Sequence, residues 1–161
     1  MSRLVGVILL VALMAAAPAD AQTPRAGAEP LYLVDHYDPA RDPAADVRAA
    51  ITRARATNRR ILLIVGGDWC SWCFVLDRFI AENAEVRAAM TDAFVMLKIN
   101  MSAENENARF LAPYRMSGGY PEFVVLDSDG SYLRTQETGA LEQGRSYSAQ
   151  RMIAFANLWR R

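Results

Sequence analysis

The only two cysteines of the chain stand in the stretch Gly66-Gly67-Asp68-Trp69-Cys70-Ser71-Trp72-Cys73, and their surroundings constrain the fold more than any other feature. Before them runs the apolar segment Ile61-Leu62-Leu63-Ile64-Val65; after them, Phe74 to Ile80 has helical spacing. A buried strand therefore leads into the pair and a helix leaves it. Cys70 falls at or near the helix N-terminus, where unpaired backbone N–H groups and the positive end of the helix dipole favour a thiolate over a thiol. Cys73, one turn along, can reach the same sulfur. A nucleophile with an intramolecular resolver is the minimum equipment for thiol–disulfide exchange.

Two other uses of the pair compete with exchange. A zinc site needs four ligands, and His36 is the only histidine that could join the cysteines, so no metal centre is expected. A purely structural bridge closing so short a loop would constrain little of the unfolded chain and stabilise weakly. The sequence carries no sign of an organic cofactor.

At 161 residues and 52% hydrophobic content, the chain has about one domain's length and enough apolar material for a core. Its 18 basic and 18 acidic residues balance, which gives no electrostatic pull toward nucleic acid or an anionic membrane surface. Nearly all the basic residues are arginine, with Lys98 the lone lysine, a bias that reads as codon composition. The N-terminus has the form of an export signal. Arg3 supplies the positive region, Leu4 to Ala17 the apolar stretch, and Ala19-Asp20-Ala21 a small-x-small cleavage site. Residues 1–21 are therefore expected to be a signal peptide, 22–30 a flexible lead-in and 31–161 one domain, periplasmic or secreted, with no stable membrane association after cleavage. Outside the cytoplasm disulfides form and persist, so a two-cysteine protein there is suited to handling the cysteines of other proteins.

Along the mature chain, Leu31 to Val34 suggests a short edge strand, and His36-Tyr37-Asp38-Pro39 a turn with His36 at the surface. Asp42-Pro43 is a helix start, with Val47, Ile51 and Ala54 at helical spacing and an end near Asn58. The strand Ile61 to Val65 is apolar throughout, as suits a central strand covered on both faces. Phe74, Phe79 and Ile80 are expected inward on the next helix. A break at Asn83 precedes a second helical piece carrying Val86, Ala89 and Met90. A strand over Phe94 to Asn100 and a helix over Glu104 to Arg115 follow. After Gly118-Gly119-Tyr120-Pro121 come a strand from Glu122 to Asp127, a hairpin turn at Ser128-Asp129-Gly130, a strand from Ser131 to Gln136 and a closing helix from Ser146 to Arg161, with Met152, Phe155, Ala156 and Trp159 inward. This order implies an α/β fold, a central mixed β-sheet flanked by helices.

Trp69-Cys70-Ser71-Trp72-Cys73 after a buried strand, Tyr120-Pro121 directly before the next-to-last strand and Gly139 after the last one give the chain its family likeness: across nearly all of its mature length it resembles the thioredoxin superfamily. It is most similar there to exported thioredoxin-like domains in which the motif is followed by a Leu-Asp pair, here Leu76-Asp77. The resemblance implies a thioredoxin-like fold, Cys70 and Cys73 as catalytic residues, and Pro121 as a cis-proline facing them, with the Tyr120 backbone placed to pair with a substrate strand. Thioredoxins proper keep a buried acid on the strand before the motif, to help proton transfer at the second cysteine. The matching position here is Ile64. Asp68 and Asp77 are the candidates to replace it, though both are expected to face water. Trp69 is expected to pack beneath the motif and shield the thiols, and Trp72 to be exposed as a contact for a substrate's apolar residues.

The expected activity is thiol–disulfide oxidoreduction on client proteins, with an unidentified redox partner. The rival is a thioredoxin-fold binding or chaperone-like module without turnover, using the surface around Trp72 and Tyr120.

Overall fold

The computed structural model describes residues 30–161. The expected signal peptide and all but the last residue of the lead-in lie outside the described residues.

Helix α1, Pro43–Thr57, begins where the sequence places it. The Asp42 side chain accepts a hydrogen bond from the Ala44 N–H and proline occupies the first turn. Asn58 ends it in the left-handed region at φ 52°, a conformation asparagine tolerates. Strand β1, Arg60–Gly66, then enters the middle of a four-stranded sheet. Helices α2, Ser71–Glu82, and α3, Ala84–Ala93, meet at Asn83 and lead to β2, Phe94–Asn100. A single helical turn, α4, Ala108–Leu111, precedes the hairpin of β3, Glu122–Leu126, and β4, Tyr132–Glu137. A two-stranded ribbon, β5 Glu142–Gln143 and β6 Ser146–Tyr147, and helix α5, Ala149–Trp159, complete the chain.

The sheet order is β2-β1-β3-β4, with β2 parallel to β1 and β3 antiparallel to β1 and to β4. Because side chains alternate along a strand, the unbroken apolar run of β1 serves two layers. Ile61, Leu63 and Val65 join Ala50 and Ala54 of α1, with Val95, Leu97 and Ile99 of β2 and Val124 and Leu126 of β3. Leu62 and Ile64 join Leu76, Ile80, Met90, Phe123, Met152 and Phe155 on the opposite face, under α2, α3 and α5. The fold is therefore the expected mixed sheet flanked by helices.

Several local expectations are corrected. Leu31 to Val34 forms only an isolated parallel bridge, Val34 to Leu97. The helix expected over Glu104 to Arg115 shrinks to α4. Upstream of it, asparagine side chains bond to nearby backbone instead: Asn100 Nδ2 to the Asn105 carbonyl, Asn105 Oδ1 to the Asn107 N–H and Asn107 Nδ2 to the Asn100 carbonyl. Asn107 itself is left-handed at φ 47°. Phe74 is 52% exposed because the inward stripe of α2 runs through Cys73, Leu76 and Ile80, leaving position 74 outside. The chain between 146 and 148 makes β6 and the Ser148 cap of α5, so the last helix starts later than expected. Among the described residues, no helix is long and apolar enough to cross a membrane.

Candidate active site

Strand β1 ends at Gly66, and four residues later the chain turns into α2 with Cys70 as its N-cap. The Cys70 sulfur accepts a hydrogen bond from the Cys73 N–H at 3.1 Å, so a sulfur takes the capping place usually held by a hydroxyl or carboxylate. Cys70 and Cys73 form a disulfide with Cα atoms 5.3 Å apart. Cys70 is 3% exposed and Cys73 1%, in a small cluster with Tyr37, against which Trp72 and Tyr120 pack.

The sheet brings Tyr120 and Pro121 to the same end. The Tyr120–Pro121 peptide bond is cis, and the Pro121 carbonyl accepts from the Thr138 hydroxyl at 2.6 Å. The carboxylate of Glu122, fully buried at the start of β3, accepts from the Ser117 N–H and so ties down the loop before Tyr120. The Tyr120 ring meets Trp69 edge to face with centroids 5.5 Å apart.

The two tryptophans exchange their expected roles. Trp69 is 56% exposed, anchored by an Nε1–H donated to the Met101 carbonyl at 2.7 Å. It stands before the helix cap and so projects from the loop. Trp72, in the first turn of α2, is half-buried, with its ring edge to face on Tyr147 at 5.6 Å. The exposed aromatic beside the disulfide is thus Trp69.

Ile64 is buried among Leu62, Leu76 and Phe123, so the carboxylate that thioredoxins keep at this point is replaced by hydrocarbon. Asp68 is exposed, as expected. Asp77 is not simply solvated. It accepts from the Tyr32 hydroxyl at 2.9 Å and from the Lys98 ammonium at 2.6 Å. Lys98, on β2 beside Ile64 in the register, is only 8% exposed, and its Nζ lies 4.9 Å from the Tyr32 ring centroid and 5.4 Å from that of Tyr37. Burial first, and the Asp77 charge second, push the Tyr32 and Tyr37 hydroxyls well above the usual phenol range. Neither Tyr37 beside the cysteines nor the Lys98, Asp77 and Tyr32 group behind it is foreseen from the sequence. A lone lysine inside an apolar strand was the available signal, since a buried ammonium needs a partner. His36 stays at the surface against Asp35. Among the described residues, no group of three or more His, Cys, Asp and Glu side chains could hold a metal ion.

The chain is similar in sequence and in fold to known proteins. Residues 42–128 match the model of a thioredoxin-like family, which is more than half of the chain. The thiol:disulfide interchange protein DsbD of a Pseudomonas species is 29% identical over 111 residues, covering 68% of this chain but 19% of that protein. The corresponding protein of Ralstonia nicotianae is 30% identical over 95 residues, 59% of this chain and 16% of that one. The chain thus spans less than a fifth of the length of these relatives. Among solved structures, a disulphide isomerase from Xylella fastidiosa superposes with a TM-score of 0.64 at 28% identity, covering 76% of this chain and 94% of that one. The oxidised C-terminal domain of DsbD from Neisseria meningitidis shares the fold, with a TM-score of 0.57 at 23% identity over 78% of this chain and all of that one. These similarities support thiol–disulfide chemistry in general. The matched segment runs from the cap of α1 through both cysteines to the turn after β3, and the chain belongs to the thioredoxin-like family.

Proposed function

We propose that this chain is an exported thiol–disulfide oxidoreductase that exchanges disulfides with client proteins through Cys70 and Cys73. The observation that carries the reading is the Cys70 sulfur at the cap of α2, taking the Cys73 N–H at 3.1 Å, with the second sulfur already bonded to it. When the pair is reduced, the same N–H and the helix dipole favour a Cys70 thiolate. That thiolate attacks one sulfur of a client disulfide. The client S–S bond breaks, its second sulfur leaves as thiolate, and a mixed disulfide forms. The Cys73 thiolate then attacks the Cys70 sulfur, releasing the client's first sulfur as thiolate, so two electrons pass from the cysteine pair to the client. Run backwards, the same steps oxidise a client dithiol. A dithiol or disulfide partner returns the pair to its starting state.

With Cys70 3% exposed, a client on this reading reaches the sulfur by displacing a side chain packed on the cysteine cluster, and Tyr120 is one such side chain. On this reading an extended client segment pairs with the Tyr120 backbone, as the family likeness implies. Trp69, exposed beside it, offers an apolar contact, with half-buried Trp72 a lesser one. The apolar N-terminal stretch and its cleavage site support export to the periplasm or beyond.

A Cys73→Ala variant tests the reading. It cannot resolve the mixed disulfide and should accumulate clients covalently on Cys70, releasable by dithiothreitol. No covalent client, together with client binding that survives in Cys70→Ser, Cys73→Ser, would refute exchange in favour of a binding module.

A further inference from the structure

Gly66 closes β1 directly against the second cysteine. A Cβ at this position would meet the Cys73 sulfur at 2.5 Å and the Tyr37 hydroxyl oxygen at 3.1 Å, so both atoms crowd the one space that the missing side chain leaves. Tyr37 is 7% exposed and belongs to the cysteine cluster. Whereas the Tyr32 hydroxyl is committed to Asp77, the Tyr37 hydroxyl oxygen and the Cys73 sulfur border the same space beside Gly66. Behind its ring lies the Lys98 ammonium, buried and fixed by Asp77.

We infer, on the exchange reading above, that Tyr37 is a positioning residue for Cys73: its O–H donates to the Cys73 sulfur when the disulfide opens, and Lys98 over the ring strengthens that donor. A carboxylate at position 64 would do the opposite, since a nearby negative charge or proton acceptor holds a thiol protonated. This chain places a hydroxyl donor near the resolving sulfur, with a cation over the donor's ring, in a site whose strand supplies only hydrocarbon. The Tyr37 hydroxyl keeps its proton at working pH, because burial raises it, with the Asp77 charge next, so it serves as donor and never as base. The other charged and titratable groups that face it are Asp68 ahead of the motif, Tyr147 on β6, and Lys98 with Tyr32 beside Asp77. A cation over a phenol ring draws density from it and strengthens the O–H as a donor. When Cys73 attacks the mixed disulfide, its electron pair forms the new bond to Cys70 and the Tyr37 O–H is released unchanged, with no net proton transfer to the phenol.

The test is the titration of Cys73 in the reduced full chain, followed by the Cys73 Cβ carbon chemical shift, and repeated in a Cys70→Ser background to remove coupling between the thiols. Tyr37→Phe keeps the ring and deletes only the hydroxyl. It should move the Cys73 midpoint upward by about one pH unit, a tenfold change in the thiolate equilibrium, in line with loss of one hydrogen bond to a charged group. Lys98→Met should move it the same way. A folded Tyr37→Phe protein with an unmoved Cys73 midpoint, or one that moves down, overturns the inference whether or not Lys98→Met folds. The titration needs no client, so failure of the trapping experiment would refute exchange while leaving this result readable.

Discussion

Replacing Gly66 with alanine should make the disulfide easier to reduce. The added Cβ would sit 2.5 Å from the Cys73 sulfur and 3.1 Å from the Tyr37 oxygen, against an unstrained contact of about 3.5–4.0 Å. The sulfur is held by its bond to Cys70, and β1 is paired on both sides, to β2 and β3, so neither neighbour yields freely. Overpacking of this kind costs about 1–3 kcal/mol. For a domain of this size, the oxidised protein should melt about 4–12 °C lower. Opening the disulfide frees the Cys73 sulfur to rotate away, while the clash with Tyr37 persists, so the oxidised form bears more of the strain. With 30 mV equivalent to about 1.4 kcal/mol, the reduction potential should rise by up to about 20–60 mV. Equilibration in glutathione buffers, with alkylation of free thiols, measures the potential, and thermal melts of both forms measure the strain. An oxidised Gly66→Ala protein as stable as the parent, with the same potential, would refute the packing described for Gly66, Tyr37 and Cys73.

Asp77→Asn removes the carboxylate that holds the buried Lys98 ammonium; because Asp77 is itself partly exposed, the loss should be about 2 kcal/mol, less than for a fully buried pair, measured as a lower urea midpoint at unchanged slope. Asp42→Ala deletes the cap of α1 and should cost about 1 kcal/mol in the same assay. Tyr32, Tyr37 and Tyr147 are all raised by burial, Tyr147 to about 12. The unfolded chain therefore loses these protons first as pH climbs past about 10. Their contribution to stability is intact below that pH and falls above it, by about 1.4 kcal/mol per unit for each tyrosine. Denaturant unfolding between pH 9 and 12 should show this decline, with a shallower slope in Tyr37→Phe; a flat profile would contradict the burial of these hydroxyls.

The parts of the fold legible in the sequence are those where one residue type admits one conformation. Asp42-Pro43 can only begin a helix well, and the all-apolar Ile61 to Val65 can only sit between two layers; both appear as expected. The apolar strand before the cysteines and the helical spacing after them likewise put Cys70 at a helix start. What escaped depended on competition between near-equal alternatives. The segment before α4 has helix-compatible residues, yet its asparagines satisfy backbone groups locally. Trp69 and Trp72 were assigned by general arguments about bulk, while their burial is decided by which side of the α2 cap each one occupies and by Tyr147, a partner distant in sequence. Lys98 looked like a compositional curiosity. Only the sheet register shows it beside Ile64, and only the tertiary fold brings Asp77, Tyr32 and Tyr37 around it.

The reactivity of the reduced cysteines with iodoacetamide, resolved by mass spectrometry across pH 4 to 10, tests the central claim most directly. Cys70 should be alkylated first, with a midpoint below the ordinary thiol value of about 8.5. Preferential labelling of Cys73, or a Cys70 midpoint at or above that value, would contradict the assignment of Cys70 as the nucleophile.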